Sequence, residues 1–303
     1  MGGSPVPLAG PRRHRLAMAQ AVLVTFLWST SWVPIKFGLR ENLPPLTFAG
    51  LRYSLAFACL APLLLANRSL RMELGGLTRG HWLELALLGV VYYAVTQGAQ
   101  FLSLVHLPAA MAGLVLNLIP LLVAIIGMIT LHEHPTARQW SGLTLCLAGV
   151  ALYFMPAAMS AAHLTGILAA SVSLLANASG SVLGRAINRR THLSAVLVTL
   201  TSMGIGAALL LAVGLATQGW GAITGRAWFL IAWLALVNTA FAFTLWNQSL
   251  HMLSAVESSA INGLMLPQIA LLAWLFIGET LAWREIAGLM LVGAGTVVVQ
   301  LRR

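Results

Sequence analysis

Polar and aromatic side chains recur at helical spacing inside long apolar runs of this 303-residue chain. They are the groups with chemistry to offer. Thr25, Trp28, Ser29, Trp32 and Lys36 fall at i, i+3, i+4, i+7 and i+11, one face of a helix. Such a face can wall a cavity with Lys36 near its mouth, or pack on a neighbour with Lys36 snorkelling to headgroups. Tyr93, Gln97 and Gln100 share a second face at i, i+4 and i+7. Two amides on one stripe can hydrogen-bond a zwitterion or join helices. Asn117 and Asn262 stand shortly before Pro120 and Pro267. A helical proline lacks a donor and clashes with the carbonyl four residues back, so each Asn either compensates the backbone or meets substrate. Asn177, with Ser173 and Ser181 on its face, has the same two uses. Arg52, inside an apolar run, needs a partner or water; a substrate carboxylate and a structural ion pair both fit.

Other chemistries find no footing. All seven acidic residues are Glu, so an aspartyl intramembrane protease is excluded. His132 and His134 lie at i, i+2, which cannot share a helical face, and no H-E-x-x-H occurs. There is no phosphate-binding G-x-x-x-x-G-K-[ST] loop and no G-x-S-x-G elbow. Glu84 reads as solvated near a helix end. Glu133 and Glu279, with Arg138 and Arg284, read as tethers of helix starts, and Glu257 serves proton coupling only if buried. No metal and no cofactor is expected.

The elements that position these groups follow from composition. Hydrophobic residues make up 59% of the chain and charged residues 8%, with a mean hydropathy of +0.88. Soluble domains carry about 25% charged residues. The apolar surface must therefore meet lipid. A net charge of +10 does not indicate nucleic acid, because the basic residues form short clusters between apolar runs, without a basic stripe or interleaved aromatics. Cys59 and Cys146 sit inside apolar runs and imply no disulfide.

A bilayer core of about 30 Å takes about 20 apolar residues per helix. Ten such runs are predicted, roughly 16–39, 45–66, 81–104, 108–131, 137–155, 163–186, 193–216, 226–250, 255–277 and 284–301, after a disordered segment 1–15. With both termini cytoplasmic, twelve Lys and Arg fall on the cytoplasmic side and three (Arg40, Arg226, Arg284) on the other. The chain also repeats at an offset of 146: Glu133, Arg138, Gly142 and Gly149 match Glu279, Arg284, Gly288 and Gly295. The halves are 16–155 and 163–301. Five helices per repeat is odd, so the second repeat enters the membrane inverted, a recurring transporter design. The same offset maps Tyr93, Gln97 and Gln100 onto Thr239, Phe243 and Trp246, a polar face opposite an aromatic one.

Ten spans, Leu27-Trp28-Ser29 in the first, Lys36 at its end, Arg52 after an L-P-P-L-T-F stretch, and the duplicated proline–Glu–Arg–Gly element resemble the drug/metabolite transporter superfamily. Within it the chain resembles the EamA-type exporters, and more narrowly those of aromatic and other neutral amino acids. The resemblance implies an all-α membrane protein of two inverted five-helix repeats in a bacterial inner membrane. Such a protein exports amino acids or similar small metabolites by alternating access, as a monomer or weak homodimer, with no nucleic-acid partner. Export of cationic drugs or nucleosides is the alternative within the fold; a lipid-modifying enzyme is the alternative from another class. On this reading Trp28, Trp32, Tyr93, Gln97, Gln100, Asn117, Asn177, Thr239, Phe243, Trp246 and Asn262 bind substrate. Lys36 and Arg52 supply charge, while Pro120 and Pro267 let two helices bend as a gate.

Overall fold

Every backbone polar group inside a bilayer needs an internal partner, so an apolar chain crosses as helices or as a closed barrel. The computed structural model takes the first solution. It describes residues 11–119, 121–123, 125–126, 136–154, 160–191, 193–250, 252–253 and 261–300, which form helices and short connections without a strand among them. The chain runs through α1 (Pro11–Thr30), α2 (Trp32–Arg40), α3 (Pro45–Ala66), α4 (Arg68–Gly75), α5 (Arg79–Leu88), α6 (Thr96–His106) and α7 (Ala109–Leu116). It continues through α8 (Ala137–Phe154), α9 (Ala161–Arg190), α10 (Ala195–Gln218), α11 (Gly225–Ala235), α12 (Ala242–Leu250), α13 (Met265–Leu272) and α14 (Trp283–Gln300). Six helical stretches are long and apolar enough to cross a membrane: Arg13–Arg40, Pro45–Ala66, Arg79–His106, Ala161–Asn188, Ala195–Gln218 and Gly225–Trp246. Shorter apolar helices cover Ala109–Val123, Trp140–Phe154 and Ile261–Ile277. The described residues are helical from Pro11 on, so the disorder expected to residue 15 does not extend over 11–15.

The breaks have local causes. Pro34 leaves the Thr30 carbonyl without its donor, and the first crossing turns at Ser31 between α1 and α2. Turns at Leu118 and at Leu264, 146 residues apart, precede Pro120 and Pro267. Each is closed by an amide reaching three residues back, Leu118 to Val115 and Leu264 to Ile261, both at 3.1–3.2 Å. Pro120 itself lies outside the described residues, as do Glu133 and Glu257.

Two crossings carry π-helical segments, Gly89–Val95 between α5 and α6 and Leu236–Phe241 between α11 and α12. They overlap when shifted by 146 residues. A third, Ala273–Ile277, ends at Gly278, whose φ of +74° suits glycine.

Helices α8 and α14 meet backbone to backbone. A Cβ on Gly142 would come within 2.8 Å of the Gly295 carbonyl oxygen, and one on Gly149 within 2.7 Å of the Gly288 carbonyl. Between these two contacts the Cys146 thiol faces the Val292 carbonyl at 3.6 Å. The pairing runs antiparallel, and small residues allow the approach. A core cluster holds the cavity-bearing helices together, with Phe48 and Phe101 fully buried edge to face at 5.2 Å.

Candidate substrate cavity

Arg52 projects from α3 and is 5% exposed. Its Nε donates to the Thr239 hydroxyl at 3.0 Å, and its guanidinium carbon lies 5.1 Å from the centre of the Tyr53 ring. Thr239 belongs to the second π segment. Its own hydroxyl donates to the Leu234 carbonyl five residues back at 2.9 Å, which leaves its lone pairs for Arg52. The π segment thereby fixes the orientation of a buried cation.

The neighbouring Asn238 is fully buried. Its amide nitrogen donates to the Leu27 carbonyl and to the Thr30 hydroxyl at 3.1 Å, where the first crossing breaks. The amide oxygens of Asn238 and Asn262 are buried with no donor among the described residues.

These groups border a cavity of about 360 Å³, toward the small end of the roughly 300–1,000 Å³ typical of small-molecule sites. Of the residues expected from sequence to bind substrate, Trp28, Trp32, Gln97, Gln100, Asn117, Asn177, Phe243 and Asn262 line it, and so does Arg52. The rings of Trp28 and Phe243 are in tilted contact, with centres 5.6 Å and planes 60° apart. Asn117 donates to the Thr296 hydroxyl at 3.4 Å, and Ser181 donates to the Asn177 amide oxygen at 3.4 Å.

Tyr93, Thr239, Trp246 and Lys36 stand off the wall. Tyr93 is buried edge to face against Tyr53 and Tyr92, with ring centres 6.0 and 5.3 Å away. An α-helical face projected back from Gln97 reaches Tyr93, but the π segment adds a residue to the turn. Tyr92, five residues before Gln97, faces the cavity instead. The same shift brings Asn238, five residues before Phe243, to the wall in place of Thr239. Trp246 has the right face but lies past the end of the cavity. Its ring lies tilted against Trp28, with centres 5.2 Å and planes 53° apart, and it packs with Ala17, Ala21 and Leu253. Lys36 donates to the Leu107 carbonyl. Pro267 is exposed on α13 and does not line the cavity.

Sequence reading missed Ser31, Tyr92, Asn238 and Thr296 on the wall. The repeat carried the missing signal. Lining residues occur in pairs 146 apart: Ser31 with Asn177, Tyr92 with Asn238, Gln97 with Phe243, and Asn117 with Gly263.

Among the described residues of the wall, one side chain is charged, Arg52. Each Glu among the described residues is engaged elsewhere. Glu41 pairs with Arg226 at 3.1 Å and Glu84 with Arg190 at 3.0 Å. Glu73 accepts from the Ser194 amide and Glu285 from the Ala282 amide. Glu279 accepts from the Ala109 and Ala110 amides at 2.7 and 3.2 Å, capping α7 from a distant part of the chain. The helix start that Glu279 caps is therefore that of α7, not of the helix that follows it with Arg284. No group of three His, Cys, Asp or Glu that could hold a metal occurs among the described residues.

The EamA-like transporter family matches this chain twice, over residues 15–155 and 164–301. A "Probable amino-acid metabolite efflux pump" of Salmonella typhimurium is 25% identical over 291 residues, covering 92% of both chains. The uncharacterized transporter YvbV of Bacillus subtilis is 28% identical over 286 residues, covering 92% of this chain and 90% of its own. A Chlamydia trachomatis S-adenosylmethionine/S-adenosylhomocysteine transporter is 24% identical over 277 residues, covering 88% and 83%. A solved crystal structure superposes with a TM-score of 0.65 at 19% identity, covering 92% of this chain and 96% of that one, a likeness of fold. Twice-matched over nearly its whole length and similar to transporters and efflux pumps rather than enzymes, the chain belongs to the EamA-like transporter family of multi-pass membrane transporters.

Proposed function

We propose that the protein is a secondary exporter of amino acids, aromatic or otherwise neutral, working by alternating access around the central cavity. The observation that carries this reading is the composition of the wall. One buried cation, several amides and the rings of Trp28 and Phe243 match a zwitterion with an apolar side chain. The amino-acid metabolites named for the Salmonella relative point the same way.

Ten crossings in two inverted repeats supply the motion. The glycine contacts support a twofold relation: Gly142 meets Gly295 and Gly149 meets Gly288, while Cys146 faces Val292, its own repeat mate. An axis in the membrane plane exchanges those partners. The paired π segments and the paired lining residues fit the same axis. A site shared by two inverted halves opens to one side when one half rocks against the other. Both termini lie in the cytoplasm on this reading, because twelve Lys and Arg then face inward against three outward. The turns before Pro120 and Pro267 are the bending points of that motion, in a plasma membrane that is the inner membrane of a bacterium.

The rings would also stack a nucleobase, and the Chlamydia relative's name includes an adenosyl group, so nucleosides are the second reading. Purified protein in liposomes preloaded with labelled phenylalanine, leucine, adenosine or tetraphenylphosphonium decides between them. Efflux of the amino acids above protein-free liposomes is expected. Release of adenosine or the cation alone, or of nothing, overturns the amino-acid reading.

A further inference from the structure

A guanidinium buried in a membrane-spanning helix without a counter-charge is held at a large desolvation penalty. Arg52 is in that position. Its Nε is bound to Thr239, one face lies against Tyr53, and no carboxylate among the described residues is within ion-pair distance. The five described Glu side chains are each bound elsewhere. The Nε bond and the ring therefore orient the cation without neutralising it, and its remaining N–H donors face a cavity with no other charged side chain among the described residues. Two residues of the same cavity, Asn238 in the adjoining turn of the π segment and Asn262, each hold a buried amide oxygen with no donor among the described residues. A buried acceptor left unpaired calls for a donor.

We propose that Arg52 is the residue that reads the substrate's carboxylate, and that the Asn238 and Asn262 amide oxygens accept from its N–H groups, so that cations lacking a carboxylate are rejected. A planar guanidinium binds a carboxylate through two parallel hydrogen bonds, and an ion pair formed in a dry cavity supplies the missing counter-charge. An amine or quaternary cation brings a second positive charge to the same wall and finds no anion among its described residues. This selection rests on the cavity being the substrate site, as proposed above, and it separates the amino-acid reading from export of cationic compounds. Thr239 is a positioning residue, since it acts through Arg52.

The test is binding to the purified full-length protein in detergent, measured by calorimetry, with four compounds sharing one side chain. These are phenylalanine, phenylalaninamide (carboxylate replaced), phenethylamine (carboxylate removed) and 3-phenylpropionate (ammonium removed). The wild type is expected to bind phenylalanine at least 30-fold more tightly than the amide or the amine. 3-Phenylpropionate should fall between, because it keeps the ion pair and loses the donors. Arg52→Gln should bring phenylalanine and its amide within threefold of each other, and Arg52→Lys, with charge but no fork, should give an intermediate ratio. Equal or tighter binding of the amide or amine by the wild type overturns the proposal, as does a preference that survives in Arg52→Gln, or no binding by any of the four. If neither variant folds, the wild-type ratio alone decides. Binding with the expected preference but without efflux in the liposome assay sinks the exporter reading and leaves the Arg52 assignment standing.

Discussion

The Nε of Arg52 and the hydroxyl of Thr239 meet at 3.0 Å, joining α3 to the π segment of the eighth predicted crossing. Thr239→Val deletes the acceptor and leaves a charged donor unsatisfied. Hydrogen bonds to charged groups contribute about 1.5–3 kcal/mol, so the apparent substrate affinity should fall about 10- to 150-fold. Thr239→Ser, which restores the oxygen, should recover most of it. Transport titrations in liposomes at matched protein content measure both. Wild-type affinity in Thr239→Val would show that Arg52 holds its place without this bond.

The glycine seam predicts a contrast within one helix. In α14, a methyl at Gly288 would meet the Gly149 carbonyl oxygen at 2.7 Å, whereas one at Gly293 would meet nothing within 4 Å. Gly288→Ala should destabilise by about 1–3 kcal/mol through overpacking. Gly293→Ala should be neutral or stabilising by about 0.4–1 kcal/mol, because it restricts the unfolded chain. Melting temperatures in detergent rank the two, and equal values would remove the close approach of α8 and α14 from the account.

Glu279 predicts a graded loss. It accepts from two amides at the start of α7, and caps of this kind contribute about 0.5–2 kcal/mol. Glu279→Gln keeps an oxygen for one amide but loses the charge that favours a helix N-terminus. Glu279→Ala loses both acceptors. The order of thermal stability should be Glu, then Gln, then Ala; an Ala variant as stable as wild type refutes the cap.

Orientation is open to chemical labelling. Met72 in α4 and Trp220 after α10 are both exposed, on connections expected on opposite sides of the membrane. In a Cys59→Ser background, an impermeant maleimide added to intact cells should label Trp220→Cys and spare Met72→Cys. Reversed labelling turns the topology over.

Much of the wall was legible because lipid forbids polar faces and α-helical spacing says which residues share one. Trp28, Trp32, Gln97 and Gln100 were reached that way, Phe243 through the repeat offset, and all five line the cavity. Tyr93 and Thr239 stand off the wall for one cause. The face was drawn with 3.6 residues per turn through segments that are π-helical, so each was placed one residue from the true wall position. Asn238 escaped notice although an Asn buried in an apolar run carries the same penalty as the other polar residues. Trp246 stands off the wall for length rather than phase, since periodicity gives direction around a helix and not where a cavity ends. The helix-terminal contacts of Glu279 and Lys36 join residues distant in the chain, which periodicity does not reach.

The π segments make the cavity wall sensitive to chain length in a way that substitutions cannot imitate. Gly89–Val95 and Leu236–Phe241 each hold a surplus residue in a crossing that is otherwise α-helical. Deleting Val91 would let α5 run into α6 without interruption and would rotate everything beyond it by about 100°. Gln97 and Gln100 would turn off the wall together, with no polar group removed and no methyl added. A matching deletion in the second segment would swing Phe243 away and draw Thr239 from under Arg52. Relatives that lack the extra residue in either half would thus present a differently composed site from nearly the same side chains, which makes an indel a route to new selectivity in this architecture.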